Sequence, residues 1–368
     1  MKIIHCADIH LDSKMTSNLD KEKAKIRKGE LVLTFKRMVE YAVSNCISAI
    51  LICGDLFDSK VISAYARNAV LTSINENPGI DFFYIKGNHD SDGFIDSIRD
   101  IPENMHLFNE SWTSYSLSKN GKIKLHGCEL LGTDSAKQQA SFAPNPMDIN
   151  IVMLHGQVAE TSIGEKTEII DLRKFRNKGI NYLALGHIHE YRTAVLDGEG
   201  KYCYSGCLEG RGFDECSSHG FVVLDIDEYT GVIKDDFIPF ASRNLFTVYV
   251  DISGLNNSQE IISTIKDKLT QNPEIRSKDM IKIVLTGEVG VDCEKDIDFI
   301  TQAVFDEYFF VKVCDESGIY IDYESYLLDE SLKGEFVRLV KASNHSEEKK
   351  AEIIKLGLHV LSGGKAEE

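Results

Sequence analysis

With 368 residues, 43% of them hydrophobic and 27% charged, the chain can bury the core of one large domain plus a smaller one, which excludes an unfolded chain. A formal net charge of −17 argues against a broad basic surface for duplex nucleic acid, so any grip on such a polyanion must be local, aided by bound cations, or supplied by a partner. No apolar run reaches the roughly 20 residues that span a bilayer, and nine cysteines without a CxxC pair read as reduced thiols, so a cytoplasmic location is expected.

The first eight residues, Met1 to Asp8, read as an opening strand and not as a signal peptide. Leu31, Phe35, Met38, Val39 and Ala42 recur at helical spacing, predicting an amphipathic helix before the second strand, Ala49 to Cys53. A second helix is expected from about Ile62 to Glu76, stopping before Asn77-Pro78-Gly79, with the strand Phe82 to Ile85 beyond it. This β-α-β-α-β opening implies a parallel central sheet. Strands then crowd together at Ile123–His126, Ile151–Leu154, Tyr182–Leu185, Tyr202–Tyr204 and Phe221–Ile226, which suggests a second sheet packed on the first. The stretch from Ser135 to Met147, with Pro144 and Pro146, reads as a connecting loop.

Near Pro239 the pattern changes. Phe246–Ile252 and Met280–Leu285 read as strands around a helix from about Ser258 to Thr270, forming an accessory unit without a metal-binding cluster. From Glu330 onward the tail is helical, with Leu332, Phe336, Leu339 and Val340 expected on one face and Asn344 with Glu347 as a capping pair. The implied domains are residues 1–240, 241–329 and 330–368. The tail packs on its own domain or serves as a docking hairpin, and the residues leave both readings open.

Five polar motifs follow the apolar strands: Asp8-Ile9-His10, Gly54-Asp55-Leu56-Phe57-Asp58, Gly87-Asn88-His89-Asp90, His155-Gly156 and Gly186-His187-Ile188-His189. Short apolar runs bounded by turn residues are strands buried on both faces, and their carboxyl ends open into one crevice. Asp, Asn and His supply oxygen and imidazole nitrogen, a donor set for divalent transition metals, and there are enough of them for two ions. Singly each motif is weak, because an Asp-x-His pair is common and a lone histidine is usually structural. Their joint occurrence in this order carries the reading.

The set resembles the calcineurin-like metallophosphoesterase superfamily, with its pattern D-x-H, G-D-x-x-D, G-N-H-D/E, H and G-H-x-H. The resemblance covers residues 1 to about 240. It implies a two-sheet β-sandwich flanked by helices, an α/β fold, here with a smaller α+β C-terminal capping domain. It further implies that Asp8, His10, Asp55 and His189 bind one metal and that Asp55, Asn88, His155 and His187 bind the other, with Asp55 as bridge. His89 would be the catalytic histidine facing the leaving-group oxygen. Asp58 would be its partner, although double-strand-break nucleases often carry histidine there. Asp90 is expected to fix its turn, and Asp12, Lys86 and Arg192 to be surface or supporting residues.

The runs His5 to Asp12 and Gly54 to Asp58 are together similar to SbcD-type DNA repair nucleases, and the stretch Tyr204 to Glu215 resembles their YhaO-like bacterial relatives. That likeness implies a manganese- or iron-dependent exonuclease in which metal-bound hydroxide attacks a DNA phosphodiester. It also implies an SMC-like ATPase partner and allows a homodimer. Arg211 would meet a substrate phosphate or pair with Glu209 or Asp214. Two other readings share the same core: a phosphoesterase for a cyclic nucleotide or nucleotide pyrophosphate, and a non-catalytic subunit.

Overall fold

The computed structural model describes residues 1–361 apart from 16–18, 59–60, 131–133, 160–167, 199 and 291–292. The last seven residues of the expected tail, 362–368, thus lie outside the described residues. The chain divides into two compact units, Met1–Asn244 and Leu245–Glu368.

In the first unit, strand β1 (Lys2–Cys6) leads to helix α1 (Lys21–Ser44), β2 (Ala49–Cys53), α2 (Ala64–Asn75), β3 (Asp81–Ile85), α3 (Gly93–Asp96) and β4 (Met105–Leu107). β1 to β4 are parallel neighbours, with Ile4 opposite Ile50 and Ile50 opposite Phe82. Asp20 caps α1 by accepting the Glu22 and Lys23 amides, and the predicted face of Leu31, Phe35, Met38, Val39 and Ala42 is buried. β5 (Thr113–Ser116), β6 (Ile123–Gly127), α4 (Ser135–Ser141), β7 (Ile149–His155), β8 (Gln157–Val158), β9 (Ile169–Ile170), β10 (Ile180–Gly186), β11 (Arg192–Asp197) and β12 (Gly200–Tyr204) follow. β13 (Gly220–Ile226) and β14 (Ile233–Pro239) then return to the first sheet, β13 pairing antiparallel with β1.

The sheets run β14-β13-β1-β2-β3-β4 and β11-β12-β10-β7-β6-β5. Their facing sides share one core that includes Ile3, Leu51, Phe83, Leu125, Ile151, Tyr182 and Leu224, so this is a two-sheet sandwich. Alternate residues point the other way: Ile4, Ile50 and Phe82 pack under α1 and α2, while Val152, Leu154, Leu183 and Leu185 meet Phe142 and Phe175. One expectation needs correction. Ser135–Ser141 is a helix and not part of a loop, because Ala136 to Ala140 are good helix formers and Gln139 is buried between the Ile169 carbonyl and the Asp171 amide.

The second unit opens with β15 (Leu245–Asp251), α5 (Ser258–Thr270), β16 (Met280–Thr286), β17 (Glu288–Gly290), α6 (Ile297–Phe305), β18 (Phe310–Asp315) and β19 (Gly318–Tyr320). Its parallel sheet β15-β16-β18 shares a core with α5 and α6 through Ile261, Ile265, Ile283, Leu285, Ile300 and Val304. α7 (Tyr323–Leu328), α8 (Leu332–Lys341) and α9 (Glu347–Leu361) close the chain. α8 and α9 meet at Val337, Ile354 and Leu358, with Phe336 and Val340 alongside, whereas Leu332 and Leu339 are exposed. The close approach is at Gly357, where any Cβ would strike the Phe336 ring, and it turns α8 so that Val337 faces inward. The α9 cap is Ser346, whose hydroxyl accepts the Lys349 amide, and not Asn344. Among the described residues, no helix is long and apolar enough to cross a membrane.

Candidate metal centre

The five motifs sit at the carboxyl ends of β1, β2, β3, β7 and β10, and backbone hydrogen bonds tie their loops together. The Asp8 amide donates to the Gly54 carbonyl (3.0 Å), that of His10 to Asp55 (2.9 Å) and that of Gly156 to Gly186 (3.1 Å). Asp8, His10 and Asp55 adopt left-handed backbone with φ of 51°, 49° and 52°, and His187 has φ 105°. Such conformations cost about 1–3 kcal/mol each and concentrate where side chains must be aimed at a site. The loop after β3 comes so close that a Cβ on Gly87 would lie 2.2 Å from Asp55 Oδ1.

This backbone brings all seven expected metal-binding side chains into one cleft. Asp55 Oδ2 lies 3.8 Å from His10 Nε2 and 3.5 Å from His155 Nε2, between the two halves of the site. The other oxygen, Asp55 Oδ1, accepts the His89 amide at 2.8 Å. On one side His10 Nε2 and His189 Nε2 are 3.1 Å apart, with Asp8 Oδ1 3.9 Å from the latter. Both Asp8 oxygens also accept the His187 amide. On the other side Asn88 Oδ1 is 3.1 Å from His155 Nε2 and 3.2 Å from His187 Nδ1.

The donor chemistry fits cations. His155 Nδ1 donates to the Cys53 carbonyl (2.9 Å), and burial keeps the ring neutral by lowering its pKa. Its Nε2 lone pair is thereby turned toward the oxygens of Asn88 and Asp55. His189 Nδ1 likewise meets Glu215 Oε1 at 2.6 Å, which turns its Nε2 toward His10, itself held down to about 4 chiefly by burial. Acceptors converging on acceptors repel unless a positive ion lies among them. Burial and the neighbouring Asp55 also push the Asp8 carboxyl well up, a cost that a cation would remove.

Beside this cluster Asp58 Oδ1 lies 2.8 Å from His89 Nδ1, and the imidazole is 45% exposed toward solvent. Burial raises the Asp58 pKa, but hydrogen bonds with His10 and Ser13 and the charge of Arg211 outweigh it and hold the carboxylate ionised. Asp90 accepts the amides of Leu56, Phe57 and Gly87, so it fixes two motif loops to each other as expected. Asp12 accepts the amide and hydroxyl of Ser63 at the cap of α2. Lys86 pairs with Asp92 and Glu129, and Arg192 with Glu190.

Arg211 corrects an expectation. It pairs with Glu215 (3.2 Å) and faces Asp58 (3.6 Å), and not Glu209 or Asp214. Glu209 is taken by Arg27, Thr34 and the Ser242 amide. Two further residues escaped the sequence reading. Glu215 supports His189, and burial lifts its pKa less than the hydrogen bond to His189 and the charge of Arg211 lower it, to about 2. Glu168 reaches the opposite side, with Oε2 3.9 Å from His187 Nδ1, and burial with the charge of Asp55 raises its pKa to about 7. The four-residue spacing of Arg211 and Glu215 was a usable signal; for Glu168 there was none.

The family model of calcineurin-like phosphoesterases matches residues 1–191. The chain is 25% identical over 297 residues to the uncharacterized metallophosphoesterase YhaO of Bacillus subtilis, covering 78% of this chain and 72% of that protein. It is 26% identical over 291 residues to the DNA double-strand break repair protein Mre11 of Methanopyrus kandleri, covering 71% of this chain and 61% of that protein. The like-named protein of Sulfurisphaera tokodaii is 26% identical over 305 residues, covering 78% of this chain and 74% of its own length. Among solved structures, a dimetal phosphatase from Danio rerio aligns with a TM-score of 0.42 at 12% identity, covering 65% of this chain and 99% of that one.

Proposed function

The chain belongs to the calcineurin-like phosphoesterase family, and we propose that it is a two-metal phosphodiesterase that degrades DNA from an end in the course of repair. The observation that carries the chemistry is Asp55 Oδ2, set between His10 Nε2 and His155 Nε2 with the Asp58–His89 pair beside it. In this reading Asp8, His10, Asp55 and His189 hold one cation, and Asp55, Asn88, His155 and His187 hold the other. Two divalent cations bound there would acidify a shared water and neutralise the phosphate oxygens. The mixed nitrogen and oxygen donors favour Mn²⁺ or Fe²⁺ over Mg²⁺, which prefers oxygen and water.

His89 supplies the remaining step. Asp58 holds Nδ1 and so orients the ring, which leaves Nε2 to give a proton to the departing sugar oxygen. DNA as the substrate is supported by the relatives named as DNA double-strand break repair proteins. A match covering 78% of 368 residues is longer than the first unit, Met1–Asn244, so the likeness reaches into the second. The net charge of −17 leaves room for a partner's help with DNA, and the exposed Leu332, Leu339 and Leu356 of the tail suit an SMC-like ATPase.

The test is a metal-dependent assay on end-labelled single-stranded and duplex DNA beside bis-p-nitrophenyl phosphate. Mn²⁺ or Fe²⁺ should support stepwise release of nucleotides from DNA ends. Cleavage of the small ester alone would replace DNA by a small phosphodiester as substrate, and no cleavage of either would favour a non-catalytic subunit.

A further inference from the structure

We infer that Glu168 completes the second cation position, as a carboxylate that sets how tightly that position is held. The inference rests on the two-cation reading above and goes beyond it. Glu168 is fixed by the short pair of β8 and β9: its carbonyl accepts the Gln157 amide at 2.7 Å, and the next residues register as Ile169 with Gln157 and Ile170 with Val158. Ile170 is fully buried, which anchors the segment to the second sheet. Gly156, with φ 151°, makes the approach possible, since a Cβ there would lie 2.4 Å from the Glu168 carbonyl oxygen. The backbone immediately after His155 is thus shaped around Glu168.

The side chain turns into the cleft, 24% exposed, and its oxygen lies with donor nitrogens of His155 and His187 inside a group spanning 4.8 Å. Donors at about 2 Å from one ion must lie about 3–4 Å from each other, so a small rotation of the glutamate suffices to join them. Charge supplies the reason for it to do so. The first position has Asp8 to itself and a share of Asp55, whereas the second has that share and three neutral donors, Asn88, His155 and His187. Without Glu168 the second cation would be held by half a carboxylate in a partly buried cleft. With it, the two positions are balanced.

The experiment is a calorimetric titration of Mn²⁺ into metal-free protein, with low-temperature electron paramagnetic resonance of the same samples. Wild type should bind two ions and show a spin-coupled pair. Glu168→Gln keeps the shape and removes the charge; it should leave the first ion unchanged, weaken the second about tenfold or more, and give uncoupled Mn²⁺ at two equivalents. Glu168→Ala should do the same, with far-ultraviolet circular dichroism confirming its fold. Two ions held by Glu168→Gln as tightly as by wild type would overturn the inference and leave the two-cation reading intact. Fewer than two ions on wild type would overturn both.

Discussion

Asp58 Oδ1 faces two imidazoles at once, 2.8 Å from His89 Nδ1 and 3.4 Å from His10 Nδ1. One carboxylate therefore joins the proposed proton donor to a proposed metal-binding residue, and Arg211 approaches its other oxygen at 3.6 Å. His89→Ala should abolish turnover while both Mn²⁺ ions remain bound, because no His89 side-chain atom is assigned to either cation. Asp58→Asn should lower kcat by about 10²–10⁴, the range expected for weakened general acid catalysis, again with metal retained. Single-turnover rates and metal analysis of the same preparations decide it, and a metal-depleted His89→Ala protein would contradict the assigned role.

Arg211 and Glu215 are expected to act through their neighbours. Both Arg211 amino groups are directed at carboxylates, and Glu215 holds His189 at 2.6 Å. Glu215→Ala should weaken the first cation about 10- to 100-fold, as loss of a carboxylate behind a metal-binding histidine does. Arg211→Ala should lower kcat with little change in KM for DNA ends. A rise in KM alone would mean that Arg211 grips the substrate phosphate.

What the sequence made legible follows from geometry that repeats locally. Buried parallel strands end in turns, so Asp8, Asp55, Asn88, His155 and His187 could be placed in one crevice from strand ends alone. Asp90 was expected to fix its turn, and it accepts the Gly87 amide of its own motif and the Leu56 amide of the motif after β2. Glu215 meets His189 across 26 residues that include β11 and β12, and Glu168 reaches His187 from just before the two-residue strand β9. Neither contact has a period or a spacing to announce it. The tail failed differently: helical spacing fixes which residues share a face but not which face a partner helix covers, and Phe336 packing onto Gly357 decided for Val337.

Gly87 tests how tightly the loops define the centre. A methyl there would meet Asp55 Oδ1 at 2.2 Å and the Asp55 amide nitrogen at 2.6 Å, so Asp55 must shift. Because Asp55 is the proposed bridge, Gly87→Ala should lose affinity for both cations by about tenfold or more, since displacement of a ligand is at least as harmful as loss of its support. The sandwich core is remote from the change, and the circular dichroism spectrum should be unaltered. Retention of two tightly bound ions would show that Asp55 can move without consequence.

His5 gives the fold its own acid sensitivity. It is fully buried between the sheets, with Nδ1 3.0 Å from the Tyr182 hydroxyl and Nε2 3.1 Å from the Leu185 carbonyl. Burial, partly opposed by the bond to Leu185, lowers its pKa from 6.5 to about 3. The unfolded chain accepts a proton that the folded state refuses. The stability linked to His5 is therefore fully present above pH 6.5 and is lost as the pH falls toward 3, at about 1.4 kcal/mol per pH unit. Asp8 and Asp90, whose pKa values burial raises, contribute the opposite slope, so wild type and variant must be compared under one protocol. His5→Gln keeps a donor and an acceptor without titrating. Urea unfolding of the metal-free proteins between pH 6.5 and 4 should show a stability curve flatter by about that slope in the variant, and parallel curves would show that His5 is not the group responsible.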